Sequence, residues 1–183
     1  MNEIALHILD IVQNSIAAGA TLVTILVEED AQSDTLVIVV EDNGRGIDPA
    51  MLPTVTNPFT TSRTTRKVGL GLPLFKAGAE ACGGSFQVES RVGVGTKVTA
   101  RYQLSHIDRP PLGDMVQTML SLVSVNPQTD FAYTRRVNGG EMAFDTRQIR
   151  EVLGEDADLS QPMVYQWMKQ ALEEENEALH GGA

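Results

Sequence analysis

Asp10 and Asn14 stand four residues apart in a stretch, Glu3 to Ala18, whose apolar positions Ile4, Ile8, Ile11, Val12 and Ile16 recur at helical spacing. That spacing stacks the carboxylate and the amide on one helix face. Such a pair can hold a hydrated Mg²⁺ and orient a water or hydroxyl beside it. It is also what an ordinary solvated polar face looks like. A second acid, Asp42, leaves the β-branched run Thr35–Glu41 and opens Asp42-Asn43-Gly44-Arg45-Gly46. Spaced glycines there let the backbone approach a flat ligand, and the carboxylate can accept from an exocyclic amine. The same residues also make a plain turn.

A third group, Lys67-Val68-Gly69-Leu70-Gly71-Leu72, starts the predicted helix Leu70–Ala81, where Pro73 falls in the first turn. Bare amides and the positive end of a helix dipole suit phosphate oxygens. Arg63, Arg66 and Lys67 add cations in front of it. The pattern is no P-loop, since no Gly-Lys-Ser/Thr follows, and its glycines are not spaced as in the dinucleotide fingerprint. A fourth group, Gly93-Val94-Gly95-Thr96, forms the tip of a hairpin between Ser85–Arg91 and Thr96–Leu104. Its threonine is placed to back up the Asp42 contact.

Taken in order, these groups resemble the ATP-binding domain of the gyrase B, heat-shock chaperone, histidine kinase and MutL superfamily. Asp10–Asn14 resembles the N box, Asp42-x-Gly44-x-Gly46 the G1 box and Pro58-Phe59 the F box. Gly69-Leu70-Gly71-Leu72 matches the G2 box and Gly93-x-Gly95-Thr96 the G3 box. The resemblance spans residues 1–104 and implies ATP and Mg²⁺ as cofactors. It implies that Asn14 ligates the metal and that Asp42 binds the adenine amino group, helped by Thr96 through water. Gly44 and Gly46 would open room for the base, with Ile47 beside them. The amides of Gly69, Leu70, Gly71 and Leu72 would cradle phosphates under a lid of residues 56–68 that contributes Thr61, Arg63 and Lys67. Asp10 stands where the family usually has glutamate, as the catalytic group that polarises the attacking atom. The fold implied is an α+β two-layer α/β sandwich of the Bergerat type, a mixed sheet with helices on one face.

The elements around these groups follow from the pattern. Asn2 is the expected N-cap and Gly19 the stop of the first helix. Thr21–Glu28 and Thr35–Glu41 read as a hairpin, and residues 53–68 as a mobile segment. After Ser105 the character changes. Arg109-Pro110-Pro111 breaks the chain. Leu112–Val123 reads as a helix, Phe131–Val137 and Glu141–Phe144 as strands about a tight turn, and Thr146–Leu153 and Gln161–Leu179 as helices, the last capped by Ser160. Met163, Tyr165, Trp167 and Met168 suggest a helix–helix seam, and His7 packing near the pocket. Residues 105–183 are thus expected to form a small acidic C-terminal α+β appendage used for oligomerisation or partner docking.

Composition limits the partners. With 42% hydrophobic and 21% charged residues, the 183-residue chain is no disordered tract. No apolar run approaches the roughly 20 residues of a membrane span, and the start has no signal-peptide pattern. The single cysteine, Cys82, reads as a small buried hydrophobe. A net charge of −10 argues against nucleic acid and anionic membrane. Cytoplasm is the expected compartment. Thirteen residues precede Asn14, so the helical hairpin that carries a kinase's phosphoacceptor histidine is not expected here. The expectation is a stand-alone histidine-kinase-like regulatory protein that binds Mg·ATP and transfers phosphate to a separate, unidentified protein partner in signal transduction. Two alternatives are a nucleotide-dependent binding module of the anti-sigma type without turnover, and a MutL-like ATPase clamp. A homodimer is compatible with each.

Overall fold

Alternation along the strands decides the layering. In β1 (Leu22–Asp30) Val23, Ile25 and Val27 are buried, and in β2 (Thr35–Asp42) so are Leu36, Ile38 and Val40. These positions share one face of the pleat. β4 (Gly95–Gln103) adds Val98, Ala100 and Tyr102 to that face, and β5 (Asp130–Val137) adds Phe131 and Tyr133. The opposite face carries Glu28, Glu41, Lys97, Arg101 and Arg136. With β3 (Ser85–Arg91) and β6 (Gly140–Asp145), the strands form one six-stranded sheet in the order β3-β4-β2-β1-β5-β6. All pairings are antiparallel except β1 with β5. The structure, a computed structural model, describes residues 3–57 and 71–181.

Helices cover the buried face. α1 (Ile4–Ala17) buries Ile4, Ile8, Ile11 and Val12, and α2 (Gly71–Ala81) buries Leu72, Phe75 and Ala79. Each such large side chain contributes about 1.5–3 kcal/mol. α3 (Met115–Val125), α4 (Thr146–Leu153) and α5 (Pro162–Gly181) complete the helical layer. This is the α+β mixed-sheet sandwich expected from the sequence.

The sheet and its core run across position 104/105. β5 lies parallel to β1 over Leu22↔Asp130 to Glu29↔Val137. Ile4, Ile8 and Val23 share one apolar cluster with Met119, Leu122, Phe131 and Met168. The first helix is also tied to the later chain, because Ile4 N and Ala5 N donate to the carbonyls of Pro111 (2.9 Å) and Leu112 (2.8 Å). Those bonds satisfy amides that a helix start leaves open. Asn2 lies outside the described residues, and Glu3 stands at the N-cap without a side-chain cap bond.

Several local expectations shift. α3 starts at Met115 rather than Leu112, because Asp114 is the cap and accepts from Gln117 N at 2.9 Å. Ser160 does not cap α5, since its hydroxyl donates to Asp158 Oδ1 at 2.6 Å. Met168 is buried against the core, whereas Met163 and Trp167 face solvent, so only part of the expected seam exists.

Candidate functional site

The first helix and the second strand place the site by one partly buried hydrogen bond. Asp42 is the last residue of β2, and its side chain points to the helical side, where Ser15 Oγ donates to Oδ2 at 2.6 Å. Gly44 N donates to Oδ1 at 2.8 Å. Among the described residues each carboxylate oxygen thus accepts one hydrogen bond and keeps a second lone pair. Ser15 is 2% exposed. It follows Asn14 directly, so the bond that aims Asp42 also fixes the turn of α1 that carries Asn14. Sequence reasoning missed Ser15. Its one signal is a polar residue at a position the helical spacing buries.

The loop after Asp42 is fastened at both ends. Asn43 Oδ1 accepts from Thr21 N (2.8 Å) and Leu22 N (3.0 Å), and Arg45 N donates to Ala18 O at 2.9 Å. Gly93 N, at the β3–β4 tip, donates to Arg45 O at 2.8 Å. The space that Gly44 lacks a side chain for is taken by Ala18, whose Cβ would sit 2.9 Å from an added one. At Gly46, φ is +79° and the backbone of Arg91 fills the place of a Cβ. Both glycines thus serve close packing of the loop against α1 and the β3–β4 tip, in addition to any room left for a base.

Thr96 pairs across the sheet with Asp42. Its hydroxyl lies 2.8 Å from Ser90 Oγ, which also accepts from Ile47 N at 2.8 Å and donates to Gly95 O at 3.0 Å. Ser90 thereby joins the two loops that flank Asp42, and holds Ile47 and Thr96 in one arrangement. This residue too was not singled out from sequence. Its signal is the hairpin register, which sets Ser90 opposite Thr96.

Asp10 is half-buried, one turn before Asn14, and meets the start of α2. A Cβ on Gly71 would lie 3.2 Å from Asp10 Cβ and 3.7 Å from Oδ2. The missing side chain lets the carboxylate reach the amide-rich, positive end of that helix. Leu72 is buried just behind. The structure therefore brings Asp10, Asn14, Asp42, Gly44, Gly46, Ile47, Gly71, Leu72 and Thr96 to one end of the sheet on its helical side. Thr61, Arg63, Lys67, Gly69 and Leu70, with Pro58-Phe59, lie outside the described residues.

His7 sits one turn below Asp10, stacked on Phe75 with ring centroids 5.1 Å apart and planes 9° from parallel. Burial lowers its pKa, and the Asp10 charge opposes this in part. Its Nδ1 is buried without a partner. Cys82 is buried as expected, and burial pushes its thiol pKa up.

Among the described residues no cluster of three or more acidic, histidine or cysteine side chains forms a self-contained metal site. The oxygen donors that α1 brings to this end are a half-buried amide, Asn14, and the half-buried Asp10 carboxylate one turn before it. A small hard cation that arrives with phosphate oxygens and keeps water needs only one or two such protein oxygens, so the residues fit Mg²⁺ bound in that manner. A wide hollow reaches Asp42, Ser90 and Thr96 and extends past Thr24, Glu41, Glu89 and Lys97, while Asp10 and Asn14 are not among its lining residues.

The chain is 36% identical over 92 residues to the osmosensing histidine protein kinase SLN1 of Saccharomyces cerevisiae, covering 48% of this chain and 8% of that protein. It is 34% identical over 98 residues to the histidine protein kinase DivJ of Caulobacter vibrioides, covering 51% and 16%. With the sensor protein kinase FleS of Pseudomonas aeruginosa the identity is 42% over 92 residues, covering 50% and 23%. The matched stretch is thus a quarter or less of each of these kinases. The crystal structure of the N-terminal domain of a DNA repair protein shares the fold, with a TM-score of 0.50 at 16% identity, over 78% of this chain and 52% of that one. The family model described as histidine kinase-, DNA gyrase B-, and HSP90-like ATPase matches residues 2–106. That stretch holds every described residue brought together above, and the chain belongs to this ATPase family.

Proposed function

We propose that the chain binds Mg·ATP at the Asp10, Asn14 and Asp42 end of the sheet and transfers the γ-phosphoryl group to a separate regulatory protein in the cytoplasm. The observation that carries this reading is the Asp10 carboxylate set against Gly71 at the start of α2. Asp42, aimed by Ser15 and the Gly44 amide, accepts from the adenine amino group, and Thr96 supports it. The amides at the start of α2 receive phosphate oxygens, with Gly69 and Leu70 completing the cradle, and Thr61, Arg63 and Lys67 supply contacts from the lid. Mg²⁺ held at Asn14 and the phosphates supplies charge neutralisation when bound. An acceptor atom on the partner then attacks the γ-phosphorus, the bond to the ADP oxygen breaks, and Asp10 takes the acceptor's proton. Residues 1–104 carry the nucleotide in this reading, and residues 105–183 carry contacts with other proteins.

The length of Asp10 favours a second reading. It reaches one methylene less than the glutamate usual in the family, which suits a module that grips a partner according to nucleotide state without turnover. One experiment separates the two. With γ-labelled ATP and purified candidate partners, transfer predicts label on a partner that Asp10→Asn abolishes while ATP binding persists. Label that stays on ATP, with partner affinity that differs between ATP and ADP, supports the binding module instead. The absence of measurable ATP binding would refute both.

A further inference from the structure

We propose that the free edge of β6, with the cleft beside it, docks an extended basic segment of a partner protein. Among the described residues no strand pairs with the outer side of β6, the last strand of the sheet. An open edge presents a row of backbone donors and acceptors that another strand can join. Next to that edge lies a cleft formed with α4 and α5, lined by Phe144, Ile149, Val152, Trp167 and Leu172. It continues past Ala143 and Glu175 toward Leu179, along the length of the strand. Val152 is 79% and Trp167 53% exposed, so apolar surface flanks the open edge. Side chains alternate along a strand, and one set from an added strand would therefore enter the cleft.

Charge chooses the occupant. Between residues 140 and 181 there are ten acidic and three basic side chains. Two of the bases are engaged locally, Arg147 with Asp145 (2.7 Å) and Arg150 with Asp130 (2.8 Å). Glu175, in the middle of the cleft, forms no ion pair among the described residues and is exposed. Pairing two copies edge to edge would set these acids against each other, whereas a segment that alternates apolar with lysine or arginine residues meets both the cleft and its rim. The inference rests on the reading that the chain acts on a partner protein, and it is independent of how ATP is used.

The test is a selection of random peptides of about twelve residues, displayed singly and panned against the full chain. Enriched peptides should alternate apolar and basic residues. Their affinity should fall about tenfold or more in Trp167→Ala, the loss typical of a central aromatic anchor, and in the exposed charge reversal Glu175→Lys. ATP affinity should stay at the wild-type value in both variants, which keeps failure of docking distinct from failure of the nucleotide reading. If Trp167→Ala does not fold, Glu175→Lys carries the test alone. Enriched peptides that are acidic, that ignore both substitutions, or that never emerge would overturn the proposal. So would a homodimer seen by light scattering that either variant dissolves.

Discussion

Replacing Ser15 by alanine should loosen the adenine contact without touching any residue that meets the nucleotide. The hydroxyl donates to Asp42 Oδ2 at 2.6 Å from a position that is 2% exposed. A hydrogen bond to a charged group is worth about 1.5–3 kcal/mol. Asp42 itself is half-buried, so water recovers part of the loss. A fall in ATP affinity of about 1 kcal/mol, roughly fivefold, is therefore expected for Ser15→Ala. Asp42→Asn removes the charge that adenine meets and should cost the larger figure, about 1.5–3 kcal/mol. The two act through one carboxylate, so their effects must not add. In the Asp42→Asn background, Ser15→Ala should cost less than about 0.5 kcal/mol. Titration calorimetry on the four proteins, with GTP as the control ligand, measures each corner of the cycle. Additive losses, or equal affinity of the wild type for ATP and GTP, would show that Ser15 and Asp42 do not form an adenine-reading unit.

Substitutions at three other positions probe the rest of the site and its surroundings. Asn14→Ala and Asn14→Asp should lower Mg²⁺-dependent turnover far more than metal-free nucleotide binding, and turnover equal to wild type in both would make Asn14 a surface amide. Gly71→Ala places a Cβ 3.2 Å from Asp10 Cβ, so Asp10 must move. Thermal stability should hold within about 1 kcal/mol, since alanine is the better helix former, while phosphate release or transfer drops, and unaltered turnover would detach Asp10 from the chemistry. His7 binds its proton more weakly in the folded protein than in the unfolded chain, because burial lowers its pKa. The unfolded chain therefore takes up the proton first, and stability should decline as pH falls through about 6.5, the ordinary histidine value. His7→Phe should flatten that slope in melting curves between pH 7.5 and 6, and an unchanged slope would assign it to other groups.

The site was legible in the sequence where its parts are local, and illegible where they meet across the fold. Asp10 and Asn14 declare themselves by helical spacing, and Asp42 by its place at a strand end. Ser15 and Ser90 do not, because each acts through a partner far along the chain or across a hairpin, and a lone serine carries no period. The same distinction explains the sheet. The β1–β2, β3–β4 and β5–β6 hairpins have turn signals between their strands, and all three were legible. The parallel pairing of β1 with β5 joins residues about a hundred positions apart, and parallel pairing leaves no local turn to read. The change of character after Ser105 is real in composition. It marks a change in charge and in proposed use, while the hydrogen bonds continue through it.

That continuity sets up the last prediction, the fate of a chain cut after residue 108. By sequence alone, residues 1–108 should retain ATP binding within about tenfold, since all the family's motifs lie before the cut. The structure adds what such a chain would lose. β1 would become an edge along the whole of its pairing with β5, and the amides of Ile4 and Ala5 would lose the Pro111 and Leu112 carbonyls. Met119, Leu120, Leu122, Val123, Phe131 and Tyr133, all buried, would leave the core. At about 1.5–3 kcal/mol for each large apolar side chain, this loss is comparable with the whole stability of a domain, about 5–15 kcal/mol. The 1–108 fragment is therefore expected to be unfolded or aggregated when made alone, and to recover ATP binding when residues 109–183 are co-expressed as a separate chain. Circular dichroism and nucleotide titration of both preparations decide the matter. A soluble 1–108 fragment with the thermal midpoint of the full chain would refute the shared core, and would leave the later residues to protein contacts alone.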